Sequence, residues 1–195
     1  MNRTKSIIRG LLIAGLMSLG TGIVNKAHAV ATDTLALKVT VNVNASVDIT
    51  TTTYSFGLLA ANETSISTGA IPVLNNTGGI TEDLQINGSD SANWTAHAST
   101  NTTTDNFNLR VIISTSSGYA PSYGQFPVSS SITNSAPQDL TNGNFGLLAN
   151  GSGDNVPVNN FRYLWFRFIA PAFINNGNNV EQSVTVTVTA GNGLY

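Results

Sequence analysis

The chain has 195 residues, of which 41% are hydrophobic and only 9% carry a charge, against about 25% in an average soluble domain. This composition excludes a disordered chain, because apolar side chains are frequent enough to form a core, and the absence of cysteine excludes disulfides, thiolate metal sites and thiol catalysis. With a formal charge of −2, the sequence lacks the positive charge that binding to nucleic acid or to an anionic membrane surface requires.

Residues 1–29 have the three parts of a bacterial secretory signal peptide. The start is basic, residues 10–24 are apolar, and Ala27-His28-Ala29 is a small-residue cleavage pattern. The apolar stretch of about 15 residues is shorter than the roughly 20 that a membrane-spanning helix needs. We therefore expect cleavage after Ala29 rather than a membrane anchor.

Cleavage at that point would leave residues 30–195 as a single domain, secreted or held at the cell surface, with no transmembrane segment. It would keep four basic and ten acidic side chains, a formal charge of −6, which again disfavours nucleic acid as a partner. Its basic residues are Lys38, Arg110, Arg162 and Arg167.

Residues 35–49 place an apolar side chain at every odd position, which predicts a β-strand with one buried face. Lys38 is the only charge in the first part of this run, although exposed edge strands are normally blunted by charge or proline. This part could therefore add to the open sheet edge of a neighbouring molecule. We define it as the candidate assembly strand, with the apolar residues Leu35, Leu37, Val39, Val41 and Val43.

The remainder of the chain alternates short β-like runs with Asn, Gly, Ser and Pro, and no window shows a sustained helical period. A loop-rich region is expected at residues 116–160. The sequence predicts an all-β fold, a two-sheet sandwich of about 7–9 strands. Further strands are predicted at residues 54–56, 67–74, 82–86, 94–97, 107–114, 163–169 and 183–189.

Alternation in the predicted strands also indicates which side chains form the core. Val111 and Val186 are each central in such a strand, so we expect them in the core on facing sheets, with Thr187 pointing outward. Asn108 and Arg110 should point away from the core. Residues 163–168 are apolar on both faces, which predicts a central strand whose second face is partly covered by a loop or a partner.

The sequence offers little for catalysis. His97 is the only histidine after residue 29 and lies in a predicted strand, and no Gly-x-Ser-x-Gly motif is present. Glu82 and Asp83 would point to opposite faces of a strand, which disfavours a cooperating carboxylate pair. We therefore expect a protein that is not an enzyme, with no catalytic residues, no cofactor and no metal site.

Two ligand-binding alternatives remain open. Calcium would find oxygen ligands in the turns at residues 87–90 and 150–155, although both have ordinary turn chemistry. A carbohydrate-binding module would need an exposed aromatic platform, whereas the two tryptophans lie in apolar strands and fit a core better. The platform residues would be Trp94, Trp165, Tyr119 and Tyr123.

Several short stretches carry a family resemblance. Residues 54–59 read YSFGLL, residues 71–79 read IPVLNNTGG, and the closing stretches at 164–171 and 182–190 read LWFRFIAP and QSVTVTVTA. They resemble exported bacterial immunoglobulin-like β-sandwich surface proteins, and the opening VTVNVNASVD at 39–48 resembles cysteine-free fimbrial subunits. The resemblance implies a secreted surface protein with a structural or adhesive role that meets protein partners or its own copies. The alternatives are a fimbrial subunit assembled by donor-strand exchange and a carbohydrate-binding module.

Overall fold

The computed structural model describes residues 38, 44–68, 73–118, 121–140, 145, 153–176 and 180–192. These residues form ten strands, all within the unit Val41–Tyr195, and two short 3₁₀ turns at Tyr123–Gln125 and Val128–Ser130. The strands are β1 (Val47–Ile49), β2 (Thr64–Ile66), β3 (Val73–Asn76), β4 (Glu82–Gly88), β5 (Thr95–Ala96), β6 (Asn106–Ser114), β7 (Ser131–Ile132), β8 (Gln138–Asp139), β9 (Phe161–Ile169) and β10 (Val186–Asn192).

Two sheets contain all of these strands. The larger sheet has seven, in the order β1-β3-β9-β6-β5, with β2 also paired to β9 and β7 to β6. The smaller sheet has the order β10-β4-β8. Within the described part of the chain every pair is antiparallel except β5 with β6. The predicted all-β, two-sheet fold is confirmed. The described residues form ten strands rather than the predicted 7–9, and four of them, β2, β5, β7 and β8, are only two or three residues long.

Both sheets turn alternate apolar side chains into one core. Val111 of β6 is completely buried, and Val186 of β10 packs into the same core from the smaller sheet. Thr187, on the opposite face of β10, is exposed. The facing positions expected for these residues are therefore confirmed. Other buried members of the core are Leu74, Leu84, Ile86, Phe107, Leu109, Ile113, Leu164 and Phe166.

The outer face of the larger sheet is also buried in part. Ile112, Phe126 and Trp165 form a second apolar cluster there, because the segment at residues 121–131 packs across β6 and β9. The prediction that a loop covers the second apolar face of β9 is therefore confirmed. Asn108 and Arg110 do point away from the core, yet both are buried beneath this same segment.

Several predicted strands differ from the structure. Of residues 35–49, only Val47–Ile49 form a described strand, β1, while the described residues 44–46 do not. Residues 54–56 form no strand. Phe56 packs against the core, with its ring centre 5.4 Å from that of Phe168 and 5.0 Å from that of Tyr54. In the stretch 67–74 only the end is a described strand, β3, while residues 69–72 lie outside the described part. The last strand begins at Val186 rather than at 183.

Gly153, in the region predicted as loop, packs closely against the core. A Cβ atom at Gly153 would lie 2.7 Å from Cβ of Leu140 and 2.9 Å from Cβ of Leu84. The backbone of Gly153 also accepts a hydrogen bond from N–H of Leu84 (2.8 Å) and donates one to the carbonyl of Leu140 (3.1 Å). Only glycine fits this approach without displacing the two leucines.

Candidate interaction surface

The core is fully buried at its centre and less buried along β1 and β10. Leu84, Ile86 and Val111, in β4 and β6, are fully enclosed. The inward side chains of β1 and β10 pack on the same core but are only half-buried. We define this region as the open side, with the residues Val47, Ile49, Val184, Val186, Val188 and Ala190.

The open side coincides with the ends of both sheets. Among the described strands, β1 pairs only with β3 and β10 only with β4, and β1 and β10 approach each other across the sandwich. Asp48 is the only charged side chain in these two strands, and neither strand contains proline. Strand edges with so little charge are suited to pairing with another strand.

The backbone that leads into β1 is fixed at the end of β3. The carbonyl of Ser46 accepts hydrogen bonds from N–H of Thr77 (2.9 Å) and Gly78 (3.1 Å), and the carbonyl of Asn44 accepts one from N–H of Gly79 (2.8 Å). The chain is therefore anchored directly after the candidate assembly strand, at a point where β3 has already ended.

A buried carboxyl group strengthens this anchor. Glu82 is 0% exposed. Its Oε1 accepts a hydrogen bond from N–H of Ser46, and its Oε2 has no hydrogen-bond partner in the part of the chain that the structure describes. Burial raises the pKa of Glu82, and the hydrogen bond from Ser46 opposes that rise only in part. Glu82 and Asp83 do lie on opposite faces, but the sequence did not reveal that Glu82 shares the buried face of Leu84 and Ile86.

The residues of the candidate assembly strand, Leu35, Leu37, Val39, Val41 and Val43, lie outside the described residues. Within the same stretch only Lys38 is described, and it is exposed. The role of this strand therefore stays a prediction.

His97 and the calcium candidate at residues 87–90 make ordinary structural contacts, whereas residues 150–152 of the second calcium candidate lie outside the described residues. His97 is exposed, and its Nδ1 accepts a hydrogen bond from N–H of Ser99 (3.2 Å). In the turn considered for calcium, Asp90 accepts bonds from N–H of Ala96 (2.7 Å) and from Nδ2 of Asn134 (2.6 Å), so both carboxylate oxygens already have donors. No three potential metal ligands among His, Cys, Asp and Glu come together in the described part of the chain.

The described aromatic candidates, Trp94, Trp165 and Tyr123, serve different parts of the molecule. Trp165 is 3% exposed in the cluster on the outer face of the larger sheet. Trp94 packs against the core between the sheets, and its Nε1 donates to the carbonyl of Asn176 (2.9 Å). Tyr123 is 51% exposed, and Tyr119 lies outside the described residues. The expectation that both tryptophans serve packing is confirmed.

A search of the described residues finds no helix that is long and apolar enough to cross a membrane. Comparison with family models, with curated proteins and with solved structures gives no match.

Proposed function

We propose that this protein is an exported, non-enzymatic structural subunit of the cell surface whose copies join by β-strand addition at the open side. The observation that carries the proposal is the loss of burial toward β1 and β10. Inward valines that are half-buried, such as Val186 and Val188, would become part of a closed core if one more strand lay along them. The free backbone edge of the same strands would gain hydrogen bonds.

The occupant we assign to the open side is the candidate assembly strand of a neighbouring copy. Its aliphatic residues recur with the two-residue period of Val184, Val186 and Val188, so one face of it would be apolar and would match the open side. Fully extended, residues 35–43 would reach about 30 Å, which is sufficient to run the length of β10.

The hydrogen bonds of Asn44 and Ser46 favour packing of the candidate assembly strand on a neighbouring copy rather than on its own sandwich. Asn44 and Ser46 already pair with the turn that follows Asn76, the last residue of β3. The proposal takes the residues that precede Asn44 to pair with a neighbouring copy rather than with β3.

The proposal includes two finer assignments. The two-sheet fold is taken to be immunoglobulin-like, as the resemblance of its motifs implies, and residues 1–29 are taken to be a signal peptide removed on export. A subunit that works through backbone pairing needs neither a catalytic group nor a cofactor, in keeping with the structural roles of His97 and Asp90.

Truncation tests the assembly. Residues 30–195 and residues 44–195 would be purified separately, and the thermal transition and the particle size of each would be measured. We expect the longer chain to form oligomers or filaments and the shorter one to remain a folded monomer with a cooperative transition. Loss of that transition on truncation would show that the strand belongs to its own sandwich.

Peptide complementation provides the matched control. A synthetic peptide of residues 33–45 should bind the folded 44–195 chain, and isothermal titration calorimetry would measure its affinity. Val41→Asp places a charge on the apolar face of the peptide, whereas Asn42→Asp places the same charge on the polar face. We expect the first change to abolish binding and the second to leave it within a few-fold. Equal effects of the two changes would contradict the proposed packing.

A further inference from the structure

Two arginines face each other on the outer face of the larger sheet. Arg110 of β6 and Arg167 of β9 are directly opposite in the strand register. Arg110 is only 2% exposed, and neither guanidinium contacts a carboxylate within the described part of the chain. Like charges at directly opposite positions destabilise a sheet, and burial makes the repulsion stronger.

Both arginines hold the covering segment at residues 121–131 onto the sheet. Arg110 donates from Nη1 to the carbonyl of Phe126 (2.8 Å) and from Nε to Oδ1 of Asn108 (2.8 Å). Arg167 donates from Nη1 to the carbonyl of Tyr123 (3.3 Å), and its guanidinium carbon lies 5.8 Å from the centre of the Tyr123 ring. These acceptors are neutral, so they leave both charges uncompensated.

Three N–H donors in this region are buried and find no acceptor among the described residues: Nη2 of Arg110, Nε of Arg167 and Nε1 of Trp165. Trp165 and Arg167 are two residues apart on the same face of β9, and Arg110 faces them from β6. Burial lowers the pKa of both arginines, and the charge of Arg167 lowers that of Arg110 further. A buried donor without an acceptor is costly, and more so when it carries charge.

We propose that a single small anion, of halide or carboxylate size, binds between Arg110 and Arg167 beneath the covering segment. It would accept the unpartnered N–H groups and neutralise the facing charges. Small size follows from the three donors being shielded from solvent. Because the same guanidinium groups bind carbonyls of the covering segment, the anion would also fasten that segment to the sheet.

Thermal unfolding in different sodium salts at constant ionic strength tests this site. Chloride and acetate are compared with gluconate, which is too bulky to fit. We expect Tm to rise saturably with at least one of the two small anions, by about 3–6 °C at ten times its Kd. Chloride alone would indicate a halide site, and acetate alone a carboxylate site. The same Tm in all three salts would overturn the proposal.

Variants assign the effect to the facing pair. Arg167→Gln should abolish the rise in Tm while leaving the protein folded in gluconate, since it also removes the repulsion. Arg162→Gln changes a β9 arginine that lies outside the pair and should keep the full response. An unchanged response in Arg167→Gln would refute the site. Line broadening of ³⁵Cl in the wild-type protein, with competition by acetate, gives an independent measurement that needs no variant.

Discussion

The decline in burial toward the open side predicts a graded set of stability losses. Val111→Ala deletes two buried carbon atoms at a position that is 0% exposed. Lost burial costs about 1.6 kcal/mol, and the cavity that remains raises the total to about 2–3 kcal/mol. Val186→Ala deletes the same atoms from a half-buried side chain and should cost about 1 kcal/mol. Thr187→Ala, on the exposed face of the same strand, should stay within about 0.5 kcal/mol.

Urea unfolding of the monomeric 44–195 chain, with midpoint and slope fitted for each variant, measures these losses. Equal losses at Val111 and Val186 would mean that the core is already closed over β10, and the open side would not exist. Equal losses at Val186 and Thr187 would mean that both faces of β10 are covered. Binding of the residue 33–45 peptide should raise the cost of Val186→Ala toward that of Val111→Ala, because the peptide would bury this valine.

Three further predictions concern pH, close packing and export. Burial raises the pKa of Glu82 above its ordinary value of 4.5. The stability that Glu82 contributes to the free energy of unfolding is therefore fully present below pH 4.5 and is lost as pH rises through the folded-state pKa. Glu82→Gln should flatten this decline in the free energy of unfolding, measured with urea between pH 4 and 8, while Asp48→Asn on the exposed face of β1 should not. An unchanged decline in Glu82→Gln would contradict the assignment. Gly153→Ala should destabilise the fold by about 1–3 kcal/mol through overpacking. Gly124→Ala, with no atom within 4 Å of the added Cβ, should change stability by no more than about 0.5 kcal/mol, and equal effects of the two on Tm would contradict the close approach at Gly153. Mass spectrometry of the exported protein should find Val30 at its N-terminus, and recovery of residues 1–29 would show that no cleavage occurs.

The sequence by itself determined the fold class and the direction of many side chains. A two-residue apolar period is a local property, so β6 and β10 could be oriented from their own residues, and Val111 and Val186 were placed correctly. Both faces of β9 are apolar, which predicted that another segment packs on its second face, and residues 121–131 do so.

Only the tertiary structure decided which segments meet. The YSFGLL stretch has the composition of a strand, yet residues 54–56 form none, and the ring of Phe56 packs onto Phe168 instead. The hydrogen bond to the buried carboxylate of Glu82 comes from Ser46, which is 36 positions away in the chain. Arg110 and Arg167 are 57 positions apart and face each other only through the β6–β9 register. Such long-range pairing depends on how whole strands align, and no local period encodes it.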